Sequence, residues 1–170
     1  MKHLTLLGLL VVVASASPVY GGDGTLPVRL PGDGTLPTLV GDARDLANNT
    51  ATTPARVVFT QLETEGIPGG TTAFTCRDTG PAVSQHQARG TLVIGDSSFA
   101  IKGVCYNEAT SDMEIIAARP QNTASLISHI LPSSQLSRLV GRLTVQPNQA
   151  GGRPSRFAVD LKDPNRPPHE

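Results

Sequence analysis

The sequence predicts an all-β protein: a small antiparallel β-sandwich or barrel with one short helical excursion near residues 123–131 and one disulfide. Three observations carry that expectation. Short runs of period-two hydrophobicity recur from Arg56 onwards, each bounded by Gly, Pro or Asn-rich turns. Only 16% of the 170 residues are charged, against 17 Gly and 14 Pro, which leaves little material for the charged faces of a helix bundle. Two cysteines, Cys76 and Cys105, both fall on apolar positions of expected strands.

The chain opens as a secretory leader. Lys2 precedes the apolar run Leu4–Val13, and Ala14 and Ala16 supply the small-x-small pattern of a cleavage site ending near Ala16. That run is shorter than the roughly 20 residues needed to span a bilayer. Residues 1–16 are therefore expected to be a signal peptide and the remainder to be extracytoplasmic, secreted or periplasmic, without a transmembrane segment. Residues 17–54 read as a flexible Gly/Pro/Thr-rich spacer. Within it Gly22-Asp-Gly-Thr-Leu-Pro27 recurs as Gly32-Asp-Gly-Thr-Leu-Pro37, too few copies for a solenoid. Asn48-Asn49-Thr50 matches a glycosylation acceptor at Asn48, relevant in a eukaryotic host.

A single β-rich domain is expected over residues 55–163. Arg56–Leu62 is β-branched and aromatic. Thr71–Arg77 alternates, with Thr72, Phe74 and Cys76 on one face. Ala88, Gly90, Leu92 and Ile94 form the next face, and Gly95-Asp96 turns the chain into Phe99, Ile101, Gly103 and Cys105. Further strands are expected at Met113–Ala118, Arg138–Gln146 and Arg156–Lys162. Leu126, Ile127, Ile130 and Leu131 recur at helical spacing behind a cap at Asn122 or Thr123, and Pro132 ends the run. Residues 164–170 read as a disordered tail.

In an oxidising compartment the two cysteines are expected to pair, joining two core-facing strands. The bond would enclose 28 residues, Arg77 to Val104, and stabilise the fold by roughly 3–4 kcal/mol.

The chemistry is sparse. Lys and Arg total 14 and so do Asp and Glu, so no cation surplus points to nucleic acid. His86 lies in the polar stretch Ser84-Gln-His-Gln87 and His129 off the apolar stripe, so both are expected in solvent, and no metal-binding spacing is present. Gly95-Asp-Ser-Ser98 resembles the Gly-Asp-Ser opening of some secreted lipases and esterases, but a hairpin turn accounts for it. Glu108, Asp112 and Glu114 form a small acidic group around a turn. Near the C-terminus Arg138, Arg142, Arg153, Arg156, Lys162 and Arg166 outnumber the acids. Pairing of the last two strands would gather several of these cations on one face.

These features lead to a non-enzymatic extracytoplasmic β-domain that binds a protein or envelope surface and needs no cofactor. The alternatives are a secreted inhibitor that inserts a Gly-Asp-Gly-Thr-Leu-Pro repeat or the Gly66–Gly70 loop into an enzyme cleft, and a small serine hydrolase using Ser97 or Ser98.

Overall fold

The computed structural model describes residues 23–30, 34–68 and 74–166. The expected leader and its cleavage position Ala16 lie outside the described residues, as do residues 167–170 of the tail. The strands are β1 (Thr38–Asp45), β2 (Thr52–Leu62), β3 (Ile67–Pro68), β4 (Val83–His86) and β5 (Ala88–Ile94), then β6 (Ser97–Asn107), β7 (Asp112–Arg119), β8 (Asn122–His129), β9 (Arg138–Pro147) and β10 (Ser155–Lys162). No helix occurs among the described residues.

The pairing order β1-β2-β5-β6-β7-β8-β9-β10 is antiparallel throughout, and β1 returns to β10 to close an eight-stranded barrel. Closure leaves these strands without the open edge that would invite further pairing. β4 takes over from β5 along the last residues of β6, and the two-residue β3 lies outside it. Alternate side chains fill the interior. Leu39, Val57, Leu92, Phe99, Ile115, Leu126, Leu139, Leu143 and Leu161 are each at most 1% exposed. At this strand number such side chains fill the lumen. At one end the Arg119 guanidinium lies 4.9 Å from the centre of the Phe99 ring.

The outward positions carry charge at mid-strand, with Asp42, Arg56, Arg142 and Asp160 all exposed. A bilayer-spanning barrel has the reverse parity, with an apolar outer band. No helix among the described residues is long and apolar enough to cross a membrane.

Four expectations are corrected. The helical excursion at 123–131 is strand β8. Pro120 and Gln121 form a two-residue reversal with Gln121 at φ 70°, and Asn122 then pairs back on Arg119. Ala124, Leu126, Ser128 and Ile130 are buried in alternation. The polar Ser128 hid that alternation, and its hydroxyl is satisfied by donating to the Val140 carbonyl at 3.0 Å.

The expected spacer, residues 17–54, contains the whole of β1 and the start of β2. Ahead of β1, the segment Gly24–Leu30 crosses one barrel end. The Leu26 amide donates to Thr64 at 2.7 Å, Gly66 to Gly24 at 2.8 Å, Arg29 to Ser134 at 2.9 Å and Ser133 to Pro27 at 2.6 Å, all backbone. Leu26 (1% exposed) and Val28 (7%) join the main core, and burying a Leu stabilises a fold by about 1.5–3 kcal/mol. Both repeat copies use the same left-handed glycine, Gly24 and Gly34 at φ 75°, and both send a leucine, Leu26 and Leu36, against the core. The first copy plugs a barrel end, and the second leads directly into β1.

The third correction concerns the cysteines. The Cys76–Cys105 bond is present, with Cα atoms 5.9 Å apart, but it does not join two core-facing strands. Opposite β7, Ile101 pairs with Ala117 and Gly103 with Ile116, so Lys102 is an extra residue. Such a bulge reverses the alternation beyond it. Phe99, Ile101, Val104 and Tyr106 join the main core, whereas Cys105 faces out of the barrel. Cys76 lies in the loop before β4, not in a strand, and residues 71–73 of the expected Thr71–Arg77 strand lie outside the described residues. The bond holds a satellite cluster of Cys76, Val83 and Cys105, with Phe74 and Ile116 packed on it.

The fourth is His86. It is fully buried rather than solvated.

Candidate functional site

One wall of the barrel, formed by β9, β10, β1 and β2, collects cations. Arg142 on β9 aligns through Ala158 on β10 with Arg44 on β1. Two residues along, Asp160 pairs with Asp42. Two further along, Arg138, Lys162, Val40 and Arg56 follow one another across the four strands. With Arg156 at the far end of β10, six exposed cations share this wall with two acids. Two aspartates directly opposite would repel, and the cation rows on either side offset this. Arg138 forks onto Asp160, with Nε–Oδ1 2.9 Å and Nη2–Oδ2 2.8 Å. That hydrogen-bonded guanidinium holds the Asp160 carboxyl below its ordinary range. Arg44, Arg56, Arg142, Arg156 and Lys162 enter no salt bridge among the described residues. Cross-strand neighbours are about 5 Å apart and rows four residues apart about 13 Å. With screening over about 8 Å at physiological salt, cations within a row reinforce one another, and the rows act as one field at lower salt.

Arg153, also in the sequence cluster, lies exposed in the β9–β10 loop. Arg166 instead turns to Asp163 at 3.5 Å and to the Thr35 hydroxyl at 3.3 Å. Arg44 and Arg56 were missed in the sequence because they lie over 80 residues from Arg138, and barrel closure is what brings them alongside.

The opposite wall, β5 to β8, is roofed by the disulfide-tied loop. A Cβ at Gly103 would overlap the Phe74 ring, so glycine there lets that ring lie on the strand. The Gln85 amide donates to the Phe74 carbonyl at 3.4 Å and to Cys76 Sγ at 3.3 Å. Glu114, at the loop's margin, is 9% exposed. It accepts from the Ser125 hydroxyl at 2.5 Å and the Arg77 amide at 2.8 Å. On either side of Phe74 and Lys102 lie two open recesses, of about 530 Å³ towards β9 and about 540 Å³ where β6 passes from β5 to β4.

His86 is held at the plugged end of the barrel. Its Nδ1 lies 3.1 Å from the Glu63 carbonyl and must donate there. Nε2 therefore accepts from the Ser84 hydroxyl, at 2.8 Å. Burial is the main cause that lowers the His86 pKa, partly opposed by the backbone contacts at Glu63 and Thr64. Serine and base are oriented as in a hydrolase, but Ser84 is 5% exposed and borders a recess of only about 10 Å³. That is room for about one water. The pair satisfies two buried polar groups. Its sequence signal was the i, i+2 spacing of Ser84 and His86, which puts both on one strand face.

The remaining candidates do not converge. Ser97 and Ser98 start β6 beside the Gly95-Asp96 turn, seven and six residues from Val104, the partner of His86. At about 3.3 Å per residue they lie some 20 Å from that histidine. His129, at 62% side-chain exposure, reaches only Asp112, at 3.4 Å. Glu108, Asp112 and Glu114 form no metal-holding group among the described residues. Asn48 lies on the exposed turn between β1 and β2 and accepts from Thr50 Oγ1 at 2.9 Å. The first repeat, a candidate for insertion into an enzyme cleft, has its leucine buried.

Neither a protein-family model, a curated protein nor a solved structure matches this chain.

Proposed function

We propose that this chain is a non-enzymatic extracytoplasmic binding protein that docks on an anionic surface polymer through the β9–β10–β1–β2 wall. The observation that carries this reading is the placement of six exposed cations and two acids on four adjacent strands. The chain as a whole balances 14 cations with 14 acids, so the asymmetry is local. A local field of one sign raises the rate and strength of encounter with a polyanion. The disulfide supports an oxidising compartment, and the filled barrel interior supports binding at the outer surface.

The test is retention on beads coated with polyphosphate, an anionic polymer without sugar rings, across a salt series. The parent should be retained at low salt and released as salt rises, and Arg44→Gln/Arg142→Gln/Arg156→Gln should lose most retention while keeping its fold. A parent that passes unretained at physiological salt, or a triple variant retained like the parent, overturns the reading.

A further inference from the structure

We propose that the trough running over β5 to β9 on the opposite wall is a second binding site, and that it takes an acidic oligosaccharide. A sugar ring would lie on Phe74, and its carboxylates would meet Lys102 and Arg89. This goes beyond the docking reading, because it uses none of the six cations on the other wall.

Shape is the first argument. The two recesses meet at Phe74 and Lys102, which line both. Each, at about 530 and 540 Å³, falls in the range of small-molecule sites, about 300–1,000 Å³. Together they extend from Arg89 on β5 to Gln146 on β9. Five strands at about 4.8 Å spacing make this roughly 19 Å long, suited to a linear chain of units rather than one compact molecule.

Surface chemistry is the second argument. The Phe74 side chain shares its recess with Thr123, Ser125, Thr144 and Gln146, and the Ser125 hydroxyl donates to Glu114. A sugar presents an apolar C–H face with a rim of hydroxyls, which matches a ring set among donors and acceptors. A purely apolar ligand would strip water from those groups and leave them unpaired.

Charge selects among sugars. Glu114 is the carboxylate among the lining residues, and both its oxygens already accept hydrogen bonds, from Ser125 and Arg77. Lys102 and Arg89 are exposed and enter no salt bridge among the described residues. The Ser125 hydroxyl and the Arg77 amide are neutral donors and leave the Glu114 charge in place, so the lining sets two cations against one carboxylate. Its net charge is positive, and acidic sugar units gain where neutral ones do not. The loop is also held in advance, by the Cys76–Cys105 bond two residues from Phe74 and by the Gln85 contact. A held loop lowers the ordering cost of binding.

Calorimetric titration of the disulfide-bonded protein with hexagalacturonate, and with neutral maltohexaose as control, tests the site. Saturable binding of the acidic hexamer, about tenfold tighter than the neutral one, is expected. Lys102→Gln keeps the bulge's residue count and should weaken it about tenfold. Phe74→Leu, with its fold checked by circular dichroism, should do the same. Arg44→Gln/Arg142→Gln should change it by less than about twofold, although that pair weakens retention on polyphosphate. Failure to saturate, equal affinity for the neutral hexamer, or a loss that follows Arg44 and Arg142 instead of Lys102 overturns the proposal. The last result assigns the binding to the cationic wall.

Discussion

The two walls of this barrel are built from the same alternating strands and end with opposite surfaces. On β9, β10 and β1 the alternation runs unbroken, with Leu39, Ala43, Leu139, Leu143, Val159 and Leu161 inward and Arg, Lys and Asp outward beside the exposed Val40 and Val140. Elsewhere it is interrupted. At the border between the walls β2 has an irregular register against β5 between Phe59 and Gln61, and on the other wall β6 has one between Ile101 and Gly103. These breaks lie on the two strands flanking β5, at the level where β6 passes from β5 to β4. Beyond its bulge β6 turns Gly103 and Cys105 outward, and these are the residues a loop needs to lie down and be tied. Regular strands produced a bare charged surface, and one extra residue produced a covered surface with recesses. Surface character here follows the parity of the strand beneath it.

Inserting one residue between Gly103 and Val104 attacks that difference directly and should have the largest effect. The inserted residue takes the inward place of Val104, so Val104 turns away from the core and Cys105 towards it. The disulfide should fail to form, as thiol titration of the unfolded chain without reductant would show. Stability should drop by more than about 4 kcal/mol, the range of disrupted cores. Cys76→Ala is milder, because it keeps the parity and removes only the tie. It should cost roughly 3–4 kcal/mol in denaturant unfolding and speed proteolysis near Cys76, with the charged wall's polymer retention unchanged.

Acid should act through His86. Burial lowers its folded-state pKa below the ordinary 6.5, so the unfolded chain takes up a proton at a higher pH than the folded one. The stability tied to neutral His86 is complete above that ordinary value and is lost as the pH falls from there towards the folded-state pKa. Urea midpoints measured from about pH 7.5 to about pH 5 should decline, and His86→Gln should flatten the decline. A parent with a flat profile contradicts the buried neutral imidazole. The smallest change in stability should come from the charged wall, where Arg44→Gln/Arg142→Gln should shift it by less than about 0.5 kcal/mol. A larger loss would mean those arginines support the fold as well as the surface.

Strands whose faces were uniform were legible. β5 runs over Ala88–Ile94 and β10 reaches Lys162, as their alternation indicates. β8 was obscured because Ser128 points inward while Ile127 is half-buried on the outer face. Helical and strand spacing cannot be separated when the polar residue is the buried one. The Gly-Asp-Gly-Thr-Leu-Pro repeat looked like linker because each copy has a single leucine. Its role depends on a barrel end that exists only after eight strands have closed into a ring. The cation cluster was half legible, since Arg138, Arg142, Arg156 and Lys162 are close in sequence and Arg44 and Arg56 are not.

By itself the sequence determined the all-β class, the hairpin at Gly95-Asp96 and the pairing of Cys76 with Cys105. Each depends on local alternation, on a two-residue turn or on there being no other cysteine to choose. Only the tertiary structure decided that the barrel closes, that the bond lies outside it and that the first repeat is buried within its end. Closure joins β1 to β10, and register decides whether an extra residue such as Lys102 is absorbed as a bulge. Both are settled by pairing between residues far apart in the chain, where local propensity has no hold.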